Sequence, residues 1–198
     1  MNETYEKILQ ASYKLLAQHG YDNTSLNMIA KSVNISKPSL YYYFSSKEEL
    51  FNEVFNQVID QMKFGTLHDL TKFTKENFED KLLEIGLKEI DSIMSDNYFS
   101  SILREMVIYS TRNPNVNNMF MEVISSYIDG FHKLLKHGID IGALPENMDI
   151  DLKAQILAMT IDSITNFISY GIDFDFKKIW MEIVKTTCIN MQYANKVE

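Results

Sequence analysis

Residues 24–47, TSLNMIAKSVNISKPSLYYYFSSK, carry three lysines (Lys31, Lys37 and Lys47) and no acid, inside a chain of 198 residues with net charge −8. Lysine ammonium groups and serine, threonine and tyrosine hydroxyls are the side chains that reach phosphate oxygens. Lys37 and Ser39 also have donors suited to base edges, and Pro38 or a tyrosine ring suits a thymine methyl group. A local basic, hydroxyl-rich and tyrosine-rich patch on an acidic chain points to a dedicated phosphate-binding surface. The distribution of charge confines it. Residues 1–50 balance five lysines with five acids, which leaves 14 of the 19 bases and 22 of the 27 acids after residue 50. That acidic remainder repels a polyanion, so nucleic-acid contact belongs to the N-terminal quarter.

Other chemistries lack their residues. The chain has no G-x-S-x-G, H-E-x-x-H, G-x-G-x-x-G or P-loop pattern. A bundle di-iron site needs two Glu-x-x-His pairs plus two further carboxylates, and Asp129-x-x-His132 approximates one half of one pair. His132 and His137 are five apart and do not share a helical face, so both read as surface histidines, and His19 and His68 are isolated. The lone cysteine, Cys188, stands in an apolar-periodic stretch and reads as a buried spectator. No catalytic residue, metal or cofactor is assigned. The opening MNETYEK has neither the basic nor the apolar region of a signal peptide, and no stretch approaches eighteen uninterrupted apolar residues, so the expected location is cytoplasmic.

The elements that must position the patch are helical. Three prolines and seven glycines leave little punctuation for strands, so the class is all-α. A first helix reads from Glu3 to His19 and stops at Gly20. Thr24 is the expected N-cap of a second helix, Ser25 to Ser32, with Leu26, Ile29, Ala30 and Val33 inward. Asn34 suits a tight turn, Ser36 a cap and Pro38 the first turn of a third helix. Leu40 and Phe44 then face inward, leaving Lys37, Pro38, Ser39, Tyr41 and Tyr42 outward, as the reading helix of a helix-turn-helix requires. Ser46 to Glu49 has the capping-box pattern that opens a fourth helix, and Gly65 is expected to end or kink it. Lys47 in that first turn opposes the helix dipole, a conflict that a docked anion would remove, although beside Glu48 and Glu49 it also reads as a solvated lysine. Further helices are predicted over about 76–94, 97–112, 115–138, 150–170 and 174–193, with a loop at 138–149.

The run Ile29-Ala30, Val33, Ser36, Leu40-Tyr41, Phe44 and Lys47-Glu48-Glu49-Leu50, preceded by a helix and Gly20-Tyr21, resembles the DNA-binding domain of TetR-family transcriptional regulators over about residues 5–55. The resemblance implies a helix-turn-helix DNA-binding domain over 1–47 and a larger helical effector-binding and dimerisation domain over 48–198. It also implies that Thr24, Tyr41 and Lys47 contact phosphates, that Lys37, Pro38, Ser39 and Tyr42 face bases or sugar-phosphate, and that Ser25 and Ser36 start helices near the backbone. Two positions depart from the family pattern: Asn34 replaces the usual turn glycine, and Tyr43 the usual histidine, so Tyr43 is left out of the contact set.

The aromatic and methionine-rich body suits an adaptable apolar pocket as well as a plain core. Its candidate effector residues are Met62, Tyr98, Phe99, Glu105, Met106, Tyr109, Tyr127, Phe131 and Phe167, with Arg104 and Asp129 as further polar groups able to orient a ligand. In the helix 150–170, Leu152, Ile156, Met159, Ser163 and Phe167 form one stripe and Leu157, Ile161, Ile164 and Ile168 a second. Two apolar faces need two partners, so Leu152, Ile156, Met159, Ser163, Phe176, Trp180, Ile183 and Val184 are expected at a homodimer interface. The function expected from these readings is a homodimeric DNA-binding regulator, a repressor on a palindromic operator released by a largely apolar small molecule. The alternatives are a helical small-molecule-binding protein without DNA-binding activity and, more remotely, a bundle oxidase.

Overall fold

The computed structural model describes residues 3–64 and 69–189. Among these residues the chain is helical throughout, with no strand. In order it forms α1 (Glu3–Asn23), α2 (Leu26–Ser32), α3 (Lys37–Tyr41), α4 (Lys47–Met62), a short 3-10 turn at Leu70–Lys72, α5 (Phe78–Ser95), α6 (Phe99–Ser110), α7 (Pro114–Asp140), α8 (Ile150–Ser169) and α9 (Phe176–Cys188). No helix of the described residues is long and apolar enough to cross a membrane. Gly65, His68 and the end of the helix predicted over 174–193 lie outside the described residues.

The chain divides into two compact units, Met1–Lys63 with Asp96–Val123 and Phe64–Ser95 with Ile124–Glu198. In the first, α1 packs on α2, α4 and α6, and α2 packs on α3. Helix α6, far along the sequence, thus shares a unit with the basic patch, and this division does not fall at residue 47.

Local chemistry sets the joints of the first unit. Gly20 interrupts α1 with φ 76° and ψ 169°, a conformation that costs glycine little. The Thr24 amide and hydroxyl both donate to the Gly20 carbonyl, at 3.2 and 2.8 Å, and the hydroxyl also lies 3.2 Å from the Leu15 carbonyl. Thr24 therefore seals the end of α1, and Ser25 caps α2 instead, accepting from the Met28 N–H at 3.2 Å. Asn34 takes the left-handed conformation its turn requires, φ 57°. Ser36 caps α3 by accepting from Ser39 N–H at 3.1 Å, with Pro38 in the first turn. Ser46 caps α4 through the Glu49 N–H at 3.0 Å. The return bond of the capping box is displaced by one residue, because the Glu49 carboxylate accepts from Ser45 N–H at 2.6 Å.

In the second unit α5 packs on α8 and α9, which also pack on each other. Asp149 caps α8 and Asp175 caps α9, each accepting a main-chain N–H. The second stripe of α8 is the inward one: Leu157, Ile161 and Ile164 are buried with Ala154 and Ala158. The first stripe is outward, with Leu152, Met159 and Phe167 exposed. Helix α9 corrects the interface expectation at three positions. Phe176, Trp180 and Val184 are buried in the unit's own core, where the Trp180 ring lies 5.9 Å from Phe131. Cys188 is half-buried, and its burial pushes the thiol up to about 12.

Candidate nucleic-acid interface

The helix-turn-helix presents its polar residues as one surface. Ile29, Leu40 and Phe44 are buried, and Phe44 stacks on Tyr5 with ring centroids 5.2 Å apart. That inward anchor turns Lys37, Pro38, Ser39, Tyr41 and Tyr42 outward, all of them exposed, with Tyr42 at 84%. The Lys37 ammonium lies 5.8 Å from the Tyr41 ring centroid, which holds two candidate DNA contacts side by side. The Ser36 and Ser39 hydroxyls share a 2.7 Å hydrogen bond, which uses one hydroxyl proton and leaves the other free to point outward, while the Ser36 oxygen accepts the capping Ser39 N–H. Tyr43 is half-buried and meets Tyr42 edge-on at 5.3 Å, a packing position.

Thr24 departs from the expected set. It is 1% exposed, and its N–H and O–H are both directed to carbonyls, so it has no donor to offer a phosphate. Ser25, next in the chain, is exposed at the start of α2.

Lys47 is not a plain solvated lysine. Its ammonium sits 4.5 Å over the Tyr21 ring and 6.0 Å over Phe51, and 3.4 Å from the Asp22 carbonyl. Burial against these groups lowers its pKa below the ordinary lysine value, the Asp22 carboxylate acting in the opposite sense. Tyr21 did not enter the sequence-based contact set, and Glu105 and Tyr109, which meet it, stood among the effector candidates instead. The Gly20-Tyr21 pair marked a turn, but nothing in its pattern pointed to the residues that meet it.

The expected effector residues do not gather in one unit. Met62, Tyr98, Phe99, Glu105, Met106 and Tyr109 belong to the first, and Tyr127, Phe131 and Phe167 to the second. Three have evident local roles. Glu105 accepts the Tyr21 N–H at 2.8 Å, Tyr109 stacks on Tyr21 at 4.6 Å, and Phe167 lies on the exposed stripe of α8, 5.9 Å from Phe174. Arg104 and Asp129 are exposed, and Arg104 donates to the Ser101 hydroxyl at 3.1 Å. The second unit also carries an open apolar groove of about 390 Å³ along α8 and α9, where Ile156, Met159, Phe167, Phe174, Ile179 and Ile183 meet. Of the interface set it contains Ile156, Met159, Ser163, Phe176 and Ile183 but not the exposed Leu152, and it adds Phe167, Phe174 and Ile179. Among the described residues no three histidine, cysteine or acidic side chains stand together as a metal site, and His132 Nε2 lies 3.2 Å from Asp151.

Comparison with known proteins bears on the same stretch of the chain. Residues 8–54 match the family model for bacterial regulatory proteins of the tetR family. The fatty acid metabolism regulator protein of Bacillus subtilis (strain 168) is 25% identical over 162 residues, covering 80% of this chain and 79% of that protein. The biofilm operon icaADBC HTH-type negative transcriptional regulator IcaR of Staphylococcus epidermidis is 44% identical over 59 residues, 28% of this chain and 32% of its own. The crystal structure of the transcriptional regulator FadR from Bacillus subtilis in complex with stearoyl-CoA shares the fold, with a TM-score of 0.66 at 22% identity over 93% of this chain and 97% of that one. The family match over residues 8–54 falls on the helix-turn-helix, and with the regulators found among the relatives it supports a DNA-binding transcriptional regulator of the TetR family.

Proposed function

We propose that the protein represses transcription as a homodimer on a palindromic operator in the cytoplasm and is released by a largely apolar small molecule. The observation that carries the DNA part is the outward set Lys37, Pro38, Ser39, Tyr41 and Tyr42 on one helix anchored by Leu40, with Lys47 half-buried at the start of the next. In this reading α3 enters the major groove, Lys47 and Tyr41 hold phosphates, and Lys37, Ser39 and Tyr42 face bases or sugar-phosphate. Ser25 and Ser36 lie near the backbone at their helix starts. The DNA-binding domain spans 1–47, and the effector-binding and dimerisation domain spans 48–198.

Repression is supported by the relative named a negative regulator. Fatty acyl compounds are the first effector class to test, because one relative is named for fatty acid metabolism and one structural neighbour holds stearoyl-CoA. The exposed stripe of α8 with Phe174, Ile179 and Ile183 supports a two-fold contact in which a second copy covers these apolar side chains. The effector shifts the population toward an arrangement whose two reading heads no longer match the operator, which requires different affinities for the two states. Coupling runs through α4, which carries Lys47 at one end and Val58, Ile59 and Met62 at the other.

Retention on fragmented genomic DNA at low and physiological salt, followed by sequencing of the retained fragments, tests the reading. The expected result is salt-sensitive enrichment of fragments sharing an inverted repeat, reversed by an acyl compound. Uniform weak retention at low salt alone would favour the small-molecule-binding alternative.

A further inference from the structure

The break at Gly20 turns the end of α1 toward α6. Glu105 on α6 accepts the Tyr21 N–H at 2.8 Å, and a Cβ placed on Gly20 would stand 3.1 Å from Glu105 Oε1, so the carboxylate is seated directly against the break. One helical turn later on α6, the Tyr109 ring lies 4.6 Å from the Tyr21 ring. Phe51 meets Tyr21 from α4 at 5.2 Å. The backbone and the ring of Tyr21 are thus both fixed by α6, and the Lys47 ammonium rests on that ring at 4.5 Å. Two further polar contacts join the same stretches, Tyr13 to Asp96 at 2.6 Å and Asp22 to Arg112 at 3.6 Å.

A lysine in the first turn of a helix is disfavoured by the dipole and, in solvent, is spread over many rotamers. The face of an aromatic ring attracts the ammonium and restricts it, which leaves less ordering to be done when a phosphate arrives. We propose that Glu105 is a positioning residue for DNA binding: it holds Tyr21 as the seat from which Lys47 presents its ammonium to a phosphate. The proposal rests on the reading that Lys47 contacts DNA.

Two measurements on the full chain test it. The first needs no DNA. The Lys47 ε-methylene protons over the Tyr21 ring are expected upfield of those of exposed lysines, and Glu105→Ala is expected to return them to the exposed position. The second is the slope of log affinity against log salt. Glu105→Ala is expected to flatten it by about 0.9 per reading head, as loss of one phosphate contact does. Over a roughly fourfold change in salt, that slope difference is about 3.5-fold in affinity. Lys47→Ala is expected to give the same flattening, and the double variant no more than Lys47→Ala alone. Glu105→Gln keeps an acceptor oxygen and is expected to restore both signals. Should Glu105→Ala fail to fold, Glu105→Met keeps the length without the acceptor. A folded Glu105→Ala or Glu105→Met variant that keeps the upfield shift and the wild-type slope overturns the proposal, as does additivity of the two substitutions. If Lys47→Ala itself leaves the slope unchanged, the assignment of Lys47 to a phosphate falls, and the proposal falls with it. If Lys47→Ala flattens the slope and the Glu105 variant does not, the proposal alone falls.

Discussion

The Trp180 indole lies directly over Gly86, and its Nε1–H donates to the Leu83 carbonyl of the same helix at 3.0 Å. A Cβ at position 86 would stand 2.1 Å from Trp180 Cε2, closer than any contact that packing tolerates. Gly86→Ala therefore forces the largest fully buried side chain off its site. The expected loss is about 1–3 kcal/mol or more of unfolding free energy, typical of overpacking. It is read as a lower urea midpoint at unchanged oligomeric state.

The exposed stripe separates from that core by the same logic. Met159 is 66% exposed and Phe167 38%, so a charge at either site costs the subunit little by itself. In a contact between two copies the same charge is buried without a partner. On the proposed dimer contact, Met159→Glu and Phe167→Glu are expected to sediment as monomers at concentrations where the parent is expected to sediment as a dimer, with stability changed by about 0.5 kcal/mol or less. Unchanged sedimentation of both variants would remove this face as the dimer contact.

These two cases mark how far the sequence reached. Asn34, Ser36, Ser46 and Pro38 act through their own backbone neighbourhood, so each could be placed from local pattern alone, apart from the one-residue shift from Thr24 to Ser25. The two stripes of α8 were legible as stripes because helical spacing separates them. Which of the apolar positions of α9 faces inward was not, because that depends on Gly86, about 90 positions away, leaving room for an indole. Tyr21 and Glu105 are 84 positions apart, and no periodicity links them. Local chemistry is written locally, whereas the pairing of distant surfaces follows from packing that no short window contains.

Thr24 gives a prediction that separates structure from recognition. Its hydroxyl donates to the Gly20 carbonyl at 2.8 Å inside a buried site. Thr24→Val keeps the shape and removes the donor, with an expected cost of about 1 kcal/mol in stability. The salt slope of DNA binding is expected to remain that of the parent, because no phosphate contact is lost. A flattened slope in a stable Thr24→Val protein would return Thr24 to the phosphate-binding set.

On the reading surface the substitutions should fall into two classes. Lys47→Ala and Tyr41→Phe are expected to weaken specific and non-specific DNA binding alike, with a flatter salt dependence. Lys37→Ala and Tyr42→Ala are expected to relax the preference at particular base pairs, at about 1–3 kcal/mol for a direct base contact. Binding titrations on the operator, on single-base variants of it and on random DNA distinguish the classes. Equal binding by all four variants would overturn the assignment of this surface.

The last prediction concerns pH and lies in the second unit. Burial holds the Glu89 carboxyl above the usual carboxylate range, partly opposed by the hydrogen bond that the Tyr127 hydroxyl donates to it. A raised value means that the folded protein binds the Glu89 proton more tightly than the unfolded chain does. The resulting stabilisation is fully present below the ordinary carboxylate pKa and is lost as pH rises through the raised one. At neutral pH the ionised Glu89 is therefore a net cost, and Glu89→Gln removes it while keeping an oxygen for Tyr127. The variant is expected to have a higher urea midpoint than the parent at pH 7, and the difference should shrink as the pH falls through the raised pKa, where the parent carboxyl takes up its proton. A lower midpoint at pH 7 would mean that the Tyr127 hydrogen bond to the charged carboxylate outweighs its desolvation, reversing the sign of the argument.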